Sequence, residues 1–137
     1  MRSRRGASAI EFAMVLPLLV YVAMGTLEYS WFLYQRTQVV HAVREGVRLA
    51  AVSELDDSPA PAALASARTA DVLDERGFAS GDITIVTSYL DLTGDGAATA
   101  DTLNLVVTVV YQPIAGGLVP TPSSMAVTMS MMLQGAK

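Results

Sequence analysis

The order of apolar and polar positions divides the chain into a helical first part and a stranded second part. Residues 12–27 carry no charged side chain, and about 20 apolar residues in a helix are enough to cross a hydrocarbon core of about 30 Å. Because backbone groups in lipid must bond within their own segment, this run is predicted to be a membrane-spanning helix. Pro17 lies within the run, where neighbouring groups or a local kink can accommodate it.

The helical pattern continues beyond the membrane run. An apolar stripe recurs at intervals of three and four residues, and charged residues fall on an adjacent face. The stripe comprises Val40, Val43, Val47 and Ala50. One helix is therefore expected from about residue 8 to about residue 53. At about 1.5 Å per residue it would be roughly 65–70 Å long, so about half of it would stand outside the membrane as a stalk.

A second helix is expected after a break at residues 54–61. Ser58 and Pro59 have the residue types of an N-cap and a first helical position. Gly77 suits the left-handed position just past a helix, and Phe78 could then touch Leu73. These signals predict a helix at about residues 61–76.

From Ile83 onward the apolar period changes to two, which predicts half-buried strands. Each strand places its apolar side chains on one face: Ile83, Ile85 and Tyr89; then Leu103, Leu105, Val107, Val109 and Tyr111; then Met125, Val127, Met129, Met131 and Leu133. The predicted fold class is α+β, with a long N-terminal transmembrane and stalk helix, a second helix and a small three-stranded antiparallel sheet.

Composition and charge limit the functions that remain. A chain of 137 residues, 52% of them hydrophobic, has room for one membrane helix and one small outer domain. Three arginines precede the apolar run, which predicts a cytoplasmic N-terminus. From Gln35 onward there are six basic and eleven acidic residues, a net charge of −5. Without clustered basic charge, no nucleic-acid partner is expected.

The residues that catalysis or cofactor binding would need are missing. There is no cysteine, the single histidine is His41, expected beside Glu45, and no glycine-rich phosphate loop follows a strand. The segment that begins at Asp91 resembles the start of a calcium loop. However, Thr93 and Thr102 occupy its third and twelfth positions, where a calcium loop carries stronger oxygen ligands, with a bidentate Glu at the twelfth. We expect a solvated hairpin loop there, no metal, no cofactor and no enzyme activity.

Glu11 is the one ionisable residue without a partner near the start of the apolar run. An ionised carboxylate near the lipid interior costs several kcal/mol, so a partner is expected. Cleavage of the Gly6–Ala7 bond would give Ala7 an α-ammonium group four residues before Glu11. Along a helix that group is close enough to pair with the carboxylate in its own or a neighbouring subunit.

These residues carry a resemblance to a known family. The basic leader ending in Gly6, the small residue Ala7, Glu11 at the fifth place after the cut and then Phe12 resemble the processing site of type IV prepilins. More narrowly, the chain resembles the TadE-like pseudopilins of the tight-adherence (Tad) pilus system. That resemblance lies in RGASAIEFAMVLPLL at residues 5–19, GTLEY at 25–29 and REGVR at 44–48.

The resemblance implies a minor pilin-like subunit acting in pilus biogenesis and adherence. The resemblance covers about the first fifty residues; together with the helical pattern and the charge distribution it predicts a leader at residues 1–6, a transmembrane and stalk helix at 7–53 and an extracytoplasmic domain at 54–137. Gly6 and Ala7 would be the processing site, and Glu11 and Phe12 would act in assembly. The implied partners are the membrane, a prepilin peptidase and other pilin and pseudopilin subunits. The implied location is the inner membrane, crossed once.

Two other interpretations stay open. The basic N-terminus and apolar run could be an ordinary secretory signal peptide, with a poor cleavage site at residues 23–25. The helix could also be an uncleaved single-span anchor whose outer module binds a ligand or a protein. N-terminal sequencing separates these interpretations, because only the pilin-like one requires a chain that begins at Ala7.

Overall fold

The computed structural model describes residues 3–53, 60–90, 102–117 and 119–133, and it confirms the α+β fold. The described elements are helices α1 (Ser3–Ala51) and α2 (Pro61–Glu75), a short 3-10 turn at Ser80–Asp82, and strands β1 (Ile83–Leu90), β2 (Thr102–Val110) and β3 (Ser124–Met132).

Helix α1 runs without a break through the membrane run and the stalk, as expected. It begins at Ser3, about five residues before the predicted start, and it contains Pro17. The early start has a simple reason, since Arg4 and Arg5 are good helix formers and only Gly6 opposes the helix there.

Contacts within the chain define two compact units. The first comprises Met1–Tyr34 together with Gln112–Thr121, and the second comprises Gln35–Tyr111 together with Pro122–Lys137. The division into a leader, a membrane and stalk helix and an outer domain, made from the sequence, stays a prediction.

The sheet of the second unit is antiparallel in the order β1-β2-β3, so β2 is its centre. Val107 lies opposite Ile85 on one side and Val127 on the other. The predicted alternation in β2 is confirmed, because Leu103, Leu105, Val107 and Val109 are all fully buried. The edge strands follow their patterns less completely: Met129 and Met131 are only half-buried, and Tyr89 is exposed.

Helix α2 begins and ends close to its predicted bounds. Pro61 holds a first-turn position and Ala60 is the N-cap residue, whereas the predicted cap at Ser58 and Pro59 lies outside the described residues. The predicted glycine at the other end is confirmed, since Gly77 has φ 84°. The Gly77 N–H donates to Asp74 and the Phe78 N–H donates to Leu73, which is the hydrogen-bond pattern of a Schellman motif.

The core of the second unit lies between β2, helix α2 and the last four turns of α1. The stripe on α1 is close to the predicted one, but Val39 and Ala42 complete it and Val40 is only half-buried. The α2 residues Ala65, Thr69, Val72 and Leu73 are buried, and this helix packs against β1 and β2.

Helices α1 and α2 are in close contact at Gly46. A Cβ atom added at this position would overlap the Thr69 hydroxyl and would stand 2.6 Å from the carbonyl oxygen of Ala65. The Thr69 hydroxyl in turn donates to that same carbonyl at 2.7 Å. Only glycine therefore allows the two backbones this separation.

Candidate functional site on the N-terminal helix

The predicted processing bond lies at the beginning of α1. Gly6 is exposed, and a Cβ atom added there would meet no other group within 4 Å. The first four N–H groups of a helix lack intrahelical partners, so its first turns open at low cost. Glycine lowers that cost further, by about 1 kcal/mol relative to alanine. The bond that a peptidase would have to reach is thus in a part of the helix that opens at low cost.

The two predicted assembly residues are exposed on the same helix. Glu11 lies on the surface and Phe12 is 62% exposed. Because α1 is continuous here, positions 7 and 11 are about one helical turn apart along the backbone. Among the described side chains no ion pair to Glu11 is formed. The roles of Gly6, Ala7, Glu11 and Phe12 stay predictions.

The helix surface around Glu11 is apolar and faces outward. Within Ser8–Ala51 the helix is long and apolar enough to cross a membrane, judged by length and composition, and its most apolar window is not buried inside the protein. The exposed apolar side chains of this stretch include Ile10, Phe12, Met14, Leu18, Leu19, Val22 and Leu27. This arrangement fits a single-pass membrane protein.

Glu28 ends the uncharged run, and the first unit buries it. Its side chain is 2% exposed, and the N–H of Ala115 donates to its Oε2 atom at 2.8 Å. One residue further along, the Tyr29 hydroxyl donates to the carbonyl of Pro120 at 3.3 Å. Two consecutive helix residues thus hold the segment Gln112–Thr121, called the 112–121 loop below, against the helix.

Two glycines give the 112–121 loop its shape. Gly116 has φ 60° and Gly117 has φ 84°, both in the left-handed region that other residues rarely adopt. An added Cβ atom would meet nothing within 4 Å at either position. The glycines are therefore needed for the turn that presents the Ala115 N–H, and not for space.

Sequence reasoning did not assign a role to Glu28. Two signals were available: Glu28 is the first charged residue after residues 12–27, and residues 102–136 contain no charged residue at all. An acidic residue at the end of a membrane run needs a hydrogen-bond donor, and an uncharged loop can supply one from its backbone.

Glu45 and Arg68 form an ion pair on the surface of the second unit. The Arg68 guanidinium donates to the Glu45 carboxylate at 2.5 Å. This hydrogen bond and the charge of Arg68 lower the pKa of Glu45, and the same contact raises the pKa of Arg68. Glu45 thus binds the arginine on α2, and His41, which was expected beside Glu45, lines the same surface groove.

An open groove of about 610 Å³ surrounds this ion pair. Its lining residues are His41, Arg44, Glu45, Arg48, Leu49, Val52 and Arg68. In the described part of the chain, no three histidine or acidic side chains come together as metal ligands. The expected hairpin loop after Asp91 lies outside the described residues, so its calcium-like pattern stays untested.

Comparison with known proteins agrees with the resemblance of the N-terminal segment. A family model described as "TadE-like protein" matches residues 6–48, which begin at the predicted processing site and include Glu11, Glu28 and Gly46. No curated protein and no solved structure gave a match. The match covers less than half of the chain, and over that stretch it suggests a protein associated with the Tad pilus.

Proposed function

We propose that this chain is a minor pilin-like subunit, or pseudopilin, of the Tad type IV pilus machinery. A prepilin peptidase cuts it between Gly6 and Ala7, and it then acts in pilus biogenesis and adherence. One observation carries the proposal: the TadE-like match at residues 6–48 falls on a continuous, outward-facing apolar helix that contains Glu11. The chain has no enzymatic role and needs no cofactor in this proposal.

The mechanism follows from the surroundings of helix α1, which change from lipid to other protein helices. Before assembly, α1 lies in the inner membrane with a cytoplasmic N-terminus, because three arginines precede the apolar run. During assembly it leaves lipid and packs against helices of other pilin subunits. Lipid is as apolar as leucine, so packing and polar pairs, not hydrophobic burial, decide which helices associate. The Ala7 amine and Glu11 form such a pair and set the axial register between subunits.

Processing is tested on protein purified from its own host with the peptidase present. Mass spectrometry should find a mature chain that begins at Ala7. Gly6→Val should remain full length, because a branched side chain does not fit a peptidase site built for glycine. Gly25→Val in the same helix is the matched control and should still be cut, since Gly25 also has open space around it. A wild-type chain that still begins at Met1 would favour the uncleaved anchor.

Assembly is tested at Glu11. Glu11→Gln should enter the membrane normally, because removing a lipid-facing charge favours insertion, and it should be processed. It should nevertheless fail to co-purify with the other pilus subunits. Glu11→Asp keeps the charge and should restore part of the association. Wild-type co-purification of Glu11→Gln would rule out a role of the carboxylate in register.

A further inference from the structure

The 112–121 loop has an unusual composition for a surface connection. It contains no charged residue, and neither does the surrounding sequence from residue 102 to residue 136. Ile114 at its tip is 66% exposed, whereas Val119 is buried. The loop therefore presents an aliphatic side chain outward next to an apolar helix with which it forms one compact unit.

The loop is attached where the membrane run ends. Residues 12–27 would span roughly 24 Å as a helix, so Glu28 and Tyr29 follow close to the edge of the hydrocarbon core. Trp31 and Tyr34 lie within the next two turns and stack with ring centroids 5.5 Å apart. Tryptophan and tyrosine are enriched at the boundary between membrane and water. Both features place the attachment point of the loop at the membrane surface.

We propose that the 112–121 loop is a membrane-surface element. Its tip inserts Ile114 into the boundary between headgroups and acyl chains at the C-terminal end of the span. The hydrogen bond from Ala115 to Glu28 holds the loop there and supplies the carboxyl group with a donor at a depth where water is scarce. The proposal rests on α1 spanning the membrane, and it stands independently of processing or pilus assembly.

Lipid is a better occupant for this tip than a protein surface, for two reasons. The loop is uncharged along its whole length, which suits insertion among lipids and offers no charge to pair with a partner. It also belongs to one compact unit with the apolar helix that lipid must already cover. Burying an exposed isoleucine side chain in an apolar environment is favourable.

The absence of cysteine permits a direct test on the full chain. Ile114→Cys is labelled with an environment-sensitive fluorophore, and the protein is reconstituted in phosphatidylcholine vesicles that contain lipids spin-labelled at a shallow or a deep acyl position. Leu18→Cys, in the middle of the apolar run, is the buried reference. Ser80→Cys, which lines a groove with Asp71 and Asp74, is the aqueous reference.

The label at Ile114 should be quenched by the shallow spin label several-fold more than the label at Ser80, and iodide should reach it several-fold less. The label at Leu18 should respond most to the deep spin label. Adding Glu28→Ala should shift the quenching of the Ile114 label toward that of the Ser80 label, while the quenching of the Ser80 label itself stays the same. Unchanged quenching of the Ile114 label would overturn the anchoring role of Glu28.

Two results would overturn the lipid contact. In the first, iodide quenches the Ile114 label as strongly as the Ser80 label, which means that the tip lies in water. In the second, the label is protected only at high protein-to-lipid ratio, which means that another protein copy covers it. Neither result depends on whether Gly6–Ala7 is cut, so this inference and the proposed function can fail separately.

Discussion

The close approach of α1 and α2 at Gly46 makes Gly46→Ala a severe change for a single methyl group. The new Cβ atom would overlap the Thr69 hydroxyl and stand 2.6 Å from the Ala65 carbonyl oxygen. Thr69 cannot simply rotate away, because its hydroxyl donates a buried hydrogen bond to that carbonyl. The carbonyl is backbone, so one helix must shift.

The magnitude follows from two opposing terms. Overpacking a core typically costs about 1–3 kcal/mol, and a clash with backbone belongs at the upper end of that range. Alanine is favoured over glycine inside a helix by about 1 kcal/mol. We therefore expect Gly46→Ala to lower the free energy of unfolding by about 1–2 kcal/mol, although the same substitution normally stabilises a helix.

The assay is urea-induced unfolding of the full chain in a mild detergent, followed by circular dichroism. Gly25→Ala is the matched control in the same helix, where an added Cβ atom meets nothing within 4 Å, and it should cause no loss. Combining Gly46→Ala with Thr69→Ala should recover only part of the stability, because the Ala65 carbonyl remains. If Gly46→Ala is as stable as Gly25→Ala, the helices are not in the contact described above.

Two further predictions concern the sheet and the ion pair of the second unit. Val107→Asp should destabilise the protein by several kcal/mol in the same assay, because it buries an unpaired carboxylate. Thr108→Asp, on the half-exposed face of the strand, should cost much less. Equal losses of stability in the two variants would contradict the half-buried strand. Arg68 lowers the pKa of Glu45 below its ordinary value of 4.5, so the pair should stabilise the fold above that pH and lose its effect as the pH falls through the lowered pKa. Glu45→Gln should accordingly lose a little stability at pH 7 and progressively less as the pH falls through the lowered pKa, and high salt should reduce the loss at pH 7.

The sequence predicted those parts of the fold that depend on local periodicity. The alternation from Leu103 to Val109 identified the central strand correctly, because a strand covered on one face must alternate. Gly77 marked the end of α2, because only a left-handed residue completes that hydrogen-bond pattern. The period alone did not give the degree of burial on the edge strands: Met129 in β3 has the right period, but it is only half-buried.

The sequence could not predict contacts between distant segments. Ala115 donates to Glu28 across 87 positions, and nothing in either local pattern selects the other. The ion pair of Glu45 with Arg68 was likewise not predicted, because the packing of α2 against α1 brings the two side chains together. In the candidate processing segment, the sequence pattern predicted the residues, and the structure adds that the segment lies on a continuous helix on which Gly6 and Glu11 are exposed.

The shared helix α1 constrains how the protein can be cut or recombined. Five of the fully buried side chains of the second unit belong to its last turns: Val39, Ala42, Val43, Val47 and Ala50. Each buried valine contributes about 1.5–3 kcal/mol, so a truncation that starts at residue 54 would forfeit a large part of the roughly 5–15 kcal/mol by which domains are stable. A soluble version, or a chimera carrying a different membrane anchor, must therefore be joined ahead of Val39, inside the helix and not in the connection that follows it.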